Sequence, residues 1–230
     1  MFHMGKLTDL LMSNKLSLIV SLPNNDIEMA KAAIAGGADA IKVHINVNHR
    51  ASGNIFGSLE ENRTFFETLA NEFSGPLGIV PGGSLENIHE SELKELETMG
   101  FNYFSVYMKH MPSFMLDLNM EKTVAGDAEY SLNTVSSLNG TRINAFEASI
   151  IPGEEYGTPL NFQDLLKYKS IVDVLDIPVI VPSQRKIVPR DVPHLADIGI
   201  KAVMIGAVVT GKDPITIERT TKEIRKAMDQ

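Results

Sequence analysis

Lys42, His44 and Asn46 alternate with Ile41, Val43, Ile45 and Val47. A strand turns successive side chains to opposite faces, so this spacing gathers an ammonium, an imidazole and an amide on one face. A cation beside an imidazole can polarise a carbonyl or shuttle a proton. A lysine withdrawn from water can also titrate low enough to form a Schiff base. Glu147 lies inside Ala145-Phe146-Glu147-Ala148-Ser149-Ile150-Ile151 and shares a face with Ala145 and Ser149. A carboxylate in an apolar strand is costly unless a cation meets it. Lys42 or Lys109 could be that cation. The pair reads either as a structural ion pair or as a general base or hydroxyl-binding group tuned by its partner. Lys42, His44 and Glu147 are therefore the catalytic candidates.

A repeated local pattern extends the register. Gly37, Gly100 and Gly199 each end a helical stretch, and an apolar strand begins one or two residues later. Glycine suits the left-handed residue after a helix C-terminus. Aligning Gly100 on Gly37 puts Ser105, Tyr107 and Lys109 where Lys42, His44 and Asn46 stand. Aligning Gly199 puts Met204, Gly206 and Val208 there. With Ser21 at the end of the first strand and Arg50 in the polar segment 46–58, the residues Asn46, Ser105, Tyr107 and Lys109 make up the substrate-binding candidates. The segment 46–58 reads as a lid or binding loop, or as a disordered insertion, above Lys42 and His44. Residues 152–157 form a similar loop above Glu147.

The run Met204 to Lys212 ends a strand in small residues with glycines at 206 and 211. Glycine lets backbone N–H groups approach an anion, and a helix N-terminus favours negative charge. The preceding strand leads into Ser183-Gln184-Arg185-Lys186-Ile187, whose two cations supply charge and, from Arg185, a bidentate grip. Gln184, Arg185, Lys186, Gly206, Ala207 and Gly211 are the phosphate-binding candidates. His44, His49 and His110 lack the spacing of a metal site, so no metal or other cofactor is expected.

These residues need strands that carry them to one mouth. Seven strands are legible: 16–21, 41–47, 77–80, 103–106, 143–151, 178–181 and 202–206. Helices are expected at 26–35 (capped by Asp26), 59–73, 84–99 (capped by Ser84), 162–175, 189–197 and from Pro214 onward. Helices alternating with parallel strands point to a single (β/α)8 barrel over residues 1–230, irregular around 109–142. The eighth strand has no firm place in the sequence; Phe114–Leu118 could hold it, on an irregular connection. An open doubly wound sheet is the alternative, but no G-x-G-x-x-G follows the first strand.

Composition sets the outer limits. The 230 residues carry 21 Lys and Arg against 29 Asp and Glu, a net charge of −8, which argues against nucleic acid as a partner. There is no Cys, hence no disulfide or thiol nucleophile. No apolar run is long enough for a membrane span. The amphipathic Met1–Asn14 stretch lacks the features of a signal peptide, so a cytoplasmic protein is expected.

Taken together, Leu18-Ile19-Val20-Ser21, Gly37-Ala38-Asp39-Ala40-Ile41-Lys42-Val43, Pro178-Val179-Ile180-Val181 and the Gly199–Gly206 strand with its Gly211 loop resemble the phosphate-binding TIM-barrel superfamily. The nearest likeness is to the N-acetylmannosamine-6-phosphate 2-epimerase type. That resemblance implies isomerase, epimerase or aldolase-type chemistry on a small phosphorylated sugar or related metabolite, and a homo-oligomer, as in a dimer. Two departures stand out. Such epimerases carry a lysine just after the third strand, where this chain has Ile79-Val80-Pro81-Gly82-Gly83. Ser183-Gln184-Arg185 replaces the usual Gly-Gly before the penultimate phosphate loop. A non-catalytic barrel that senses a phosphorylated metabolite and acts through a protein partner is the alternative.

Overall fold

The computed structural model describes residues 5–13 and 15–230. The first part of the chain runs α1 (Lys6–Leu11), β1 (Ser17–Ser21), α2 (Ile27–Ala35), β2 (Ala40–His44), β3 (Val47–His49), β4 (Asn54–Phe56), α3 (Leu59–Glu72), β5 (Leu77–Val80) and α4 (Glu90–Met99). It continues with β6 (Tyr103–Tyr107), β7 (Glu121–Ala125), α5 (Leu132–Ser136), β8 (Ala145–Glu147), α6 (Phe162–Val174), β9 (Val179–Pro182), α7 (Val192–Asp197), β10 (Ala202–Ile205), α8 (Ala207–Thr210) and α9 (Pro214–Met228). Eight strands close a barrel in the order β1-β10-β9-β8-β7-β6-β5-β2, and every pair in it is parallel. The (β/α)8 barrel expected from the sequence is the observed fold.

Local chemistry explains most elements. Gly37, Gly100 and Gly199 adopt φ of 92°, 104° and 93°, a region that penalises a Cβ, and each hands a helix to a strand. Asp26 caps α2 by accepting from the N–H groups of Glu28 (2.8 Å) and Met29 (3.1 Å). Ser84 does not cap the next helix. Leu85–Asn87 form a separate 3-10 turn, and α4 begins only at Glu90.

The candidate place of the eighth strand is corrected. Residues Ser113–Asp117 form a 3-10 segment after Pro112, and the strand is β7, Glu121–Ala125. Its polar start, Glu121-Lys122-Thr123, disguises it. The buried Glu121 carboxylate accepts from the N–H groups of Leu7 (2.8 Å) and Thr8 (2.7 Å), which caps the N-terminus of α1. The buried Lys122 ammonium donates to the carbonyls of Leu118 (2.7 Å) and Met120 (2.9 Å). The strand expected at 143–151 is shorter, Ala145–Glu147.

Within the expected amphipathic stretch 1–14, residues 1–4 and Asn14 lie outside the described residues. Lys6–Leu11 is helical, and Leu7 and Leu11 plug the barrel floor. They pack with Ile19, Ala40, Tyr103, Ala145, Ile180, Ala202 and Met204, the lower lumen residues of six strands. Gly78 leaves room for Tyr103, whose ring occupies the place of a Cβ there. This apolar floor pushes polar lumen residues towards the opposite mouth, where the C-terminal strand ends converge.

Candidate functional site

Above the floor, Lys42 of β2 and Glu147 of β8 meet across the lumen. The Lys42 Nζ lies 3.1 Å from Glu147 Oε2 and 3.3 Å from Oε1. Ser105 Oγ of β6 donates to Oε2 at 2.7 Å, and Ser149 Oγ donates to Oε1 at 3.0 Å. Both side chains of the pair are nearly buried, 6% exposed each. Between the two sequence options for the Glu147 partner, the structure selects Lys42. Lys109 sits on the exposed rim and pairs with Asp127 at 2.8 Å.

This cluster forms the base of a cavity of about 490 Å³ that opens at the C-terminal strand ends. Ser21, His44, Tyr107 and Gln184 line it with Lys42, Glu147 and Ser105. His44 is buried, and its Nδ1 has no hydrogen-bond partner among the described residues. Its ring stacks on His49 (4.4 Å between centroids) and on Phe56 (4.7 Å). Burial, with the charges of His49 and Lys42 behind it, holds His44 well below the usual imidazole range. Burial and then Lys42 lower His49 to about 4. Both rings are neutral at pH 7, so His44 meets the cavity as an uncharged imidazole. Burial first, then Tyr156 and Glu147, raise the Tyr107 phenol, so it stays protonated as a donor.

Asn46 departs from the expected face. β2 ends at His44, and Asn46 takes a left-handed φ of 53°, a conformation asparagine tolerates. Its side chain leaves the lumen and donates to Glu92 Oε2 at 2.6 Å. The segment beyond is an ordered antiparallel hairpin of β3 and β4, so the insertion reading is corrected. Arg50 lies at its tip, exposed and facing the cavity.

The phosphate candidates divide. Gly206, Ala207 and Gln184 line the cavity. The N–H of Gly206 donates to Ser183 Oγ at 2.9 Å, whereas those of Ala207 and Val208 find no acceptor among the described residues. Gln184 is held in the wall, accepting from Ile151 N–H (3.0 Å) and donating to Tyr156 Oη (2.6 Å). Gly211 ends α8 at φ 72°, away from the cavity lining. Lys186 points to solvent, outside that lining too.

Arg185 is the clearest correction. It is buried and pairs with Asp164 and Glu155, not with the cavity. Its Nη2 donates to Asp164 Oδ1 at 3.1 Å, and its Nε lies 2.8 Å from Oδ2 but off the hydrogen-bond line. Two carboxylates neutralise its charge, so it ties β9 to the start of α6. Sequence reasoning missed Asp127, and it placed Tyr156 in the loop above Glu147 and Ser183 in the anion-binding segment without giving either a role of its own. Each lies in a loop whose direction only the closed barrel sets.

No family model and no curated protein sequence matches this chain. Solved structures do. Thiamine phosphate pyrophosphorylase from Pyrococcus furiosus aligns at a TM-score of 0.64 with 17% identity, over 94% of this chain and 96% of that one. Ligand-free tryptophan synthase from M. tuberculosis aligns at 0.74 with 13% identity, over 99% and 100%. The tryptophan synthase A-subunit from Pyrococcus furiosus aligns at 0.67 with 12% identity, over 92% and 98%. At these identities the likeness establishes a TIM-barrel fold, and chemistry has to be argued from the site itself.

Proposed function

We propose that this barrel is an enzyme acting on a small phosphorylated sugar or related metabolite at its C-terminal mouth. The observation that carries the reading is the buried Lys42–Glu147 pair, held by Ser105 and Ser149 at the base of a cavity whose wall carries a neutral His44. A buried charge pair is costly; unlike Arg185 and Asp164, which tie a strand to a helix away from the cavity, Lys42 and Glu147 line it. Glu147 has both oxygens occupied and acts by fixing the Lys42 ammonium. The ammonium polarises a substrate carbonyl, and His44 moves the proton on the neighbouring carbon. Such a pairing of electrophile and base suits isomerisation or epimerisation, and cleavage of the adjacent C–C bond is the aldolase-type variant.

The unpaired N–H groups of Ala207 and Val208 support the phosphate end of this reading. The likeness to N-acetylmannosamine-6-phosphate 2-epimerases suggests phosphosugars as first substrates. Val80, Pro81 and Gly82 stand where those enzymes carry lysine, so Lys42 would take the electrophilic role from β2. A cytoplasmic setting and a homo-oligomer belong to the same proposal. Exposed Phe162 and Leu166, one turn apart on α6, offer a contact for self-association, and sedimentation showing only a 25.3 kDa species would remove it.

The test combines a thermal-shift screen of phosphosugars with proton NMR in D₂O. A substrate should exchange a carbon-bound proton with the wild type, and Lys42→Met and His44→Phe should each slow that exchange by about 10²-fold or more. Binding without any turnover would favour the non-catalytic alternative.

A further inference from the structure

We propose that the β3–β4 hairpin is a lid over the phosphate end of the cavity, and that Arg50 at its tip is the cation that meets the phosphate. This rests on the phosphate reading above and gives it the charge that Arg185 does not supply.

The course of the hairpin carries the argument. Its root is fixed after β2, where Asn46 N–H donates to the Gly57 carbonyl (3.0 Å) and Gly83 N–H to the Asn46 carbonyl (3.2 Å). From there it crosses the mouth. Asn54 Nδ2 donates to the Pro23 carbonyl, beyond β1, at 2.7 Å. At the tip, Gly53 faces the loop after α8, where a Cβ on it would stand 3.8 Å from Lys212 Nζ. The Arg50 guanidinium lies against the bare backbone of Gly153, beyond β8, in space a Cβ there would fill. In the barrel order β1, β10, β9, β8, these contacts bracket the ends of β9 and β10. Those ends hold Ser183, Gly206 and the free N–H groups of Ala207 and Val208.

Charge points the same way. Arg50 has neither an ion pair nor a hydrogen bond among the described residues, although it faces the cavity. The other cations of the lining are already matched, Lys42 by Glu147 and Lys109 by Asp127. A planar guanidinium offers paired donors that fit two phosphate oxygens. The ligand class is a phosphate monoester whose dianion is held by backbone N–H groups from below and by Arg50 from above. Beyond the Asn54–Pro23 hydrogen bond the tip is held by Ser52 Oγ, which meets His49 Nδ1 at 2.9 Å and accepts from Asn54 N–H at 3.3 Å, while Asn48, Arg50, Gly53 and Ile55 are exposed. Its turn is closed by Gly53 N–H to the His49 carbonyl at 2.8 Å, and its inner face rests on the His44–His49–Phe56 ring stack. A segment of this kind opens locally at low cost and is steadied by a ligand.

The experiment titrates inorganic phosphate into the folded wild type, Arg50→Ala, Arg50→Lys and Ala207→Pro, with calorimetry for affinity and amide hydrogen exchange for the hairpin. Ala207→Pro deletes one N–H at a first helical position that accepts proline, so the fold is retained. Phosphate should slow exchange across 47–56 in the wild type. Arg50→Ala should weaken phosphate binding by about tenfold or more, the scale of a charge-assisted hydrogen bond lost, and should abolish the hairpin protection. Arg50→Lys should recover part of both. Wild-type affinity in Arg50→Ala, together with loss in Ala207→Pro, would overturn the role of Arg50 and leave the phosphate site standing. Unchanged affinity in both variants, or no binding by the wild type, would overturn the phosphate reading and the lid with it.

Discussion

Removing the Lys42 ammonium while keeping its shape, as in Lys42→Met, strands Glu147 at 6% exposure. The carboxylate loses two of the four hydrogen bonds it accepts and keeps those from Ser105 and Ser149. Breaking one side of a buried pair costs about 3–5 kcal/mol, and the two remaining hydroxyl donors place this case near 3 kcal/mol. For a chain of this size that is a fall in Tm of roughly 6–12 °C. Replacing both partners, Lys42→Met with Glu147→Leu, removes the stranded charge and should restore most of the loss. Urea unfolding of wild type, both single variants and the double variant closes the cycle, with coupling of about 2 kcal/mol or more expected. Additive losses, or single variants as stable as the wild type, would refute the view that two desolvated charges depend on each other here. The double variant should remain inactive while stable, which separates the folding role of the pair from its chemical one.

Other outcomes follow from neighbouring groups. His49 falls from 6.5 in the unfolded chain to about 4 when folded, and His44 is lowered as well, so the unfolded state binds more protons between those values. The hairpin stack should keep its full stability above about pH 6.5 and lose it progressively towards pH 4, by roughly 3 kcal/mol for His49 unless the hairpin opens first. Ring-proton NMR titration showing His49 at an ordinary pKa would refute this. Arg185→Ala leaves Asp164, 1% exposed, without its cation, and should destabilise by about 3–5 kcal/mol in urea unfolding while phosphate affinity stays near wild type. Glu121→Ala strips the acceptor from the N–H groups of Leu7 and Thr8. It should cost about 1–3 kcal/mol and speed amide exchange in α1, and unchanged exchange there would count against the cap.

Strand alternation was enough to put Lys42, His44, Ser105, Tyr107 and Glu147 on one lumen face, because register within a strand is a local property and each βα unit repeats the same glycine-to-strand step. The barrel class was legible for the same reason. What the chain alone could not decide were contacts between residues far apart along it. Glu121 and Lys122 hide a strand behind charges that are satisfied by Leu7, Thr8, Leu118 and Met120. Arg185 reads as a cation that grips phosphate until Asp164 and Glu155 are brought beside it. Asn46 reads as the next lumen residue until a left-handed φ turns the chain into a hairpin that carries Arg50 across the mouth. Side-chain periodicity is set by the backbone of one element. The fate of a charge is set by which opposite charge the closed barrel brings within reach, and that is decided only when all eight strands meet.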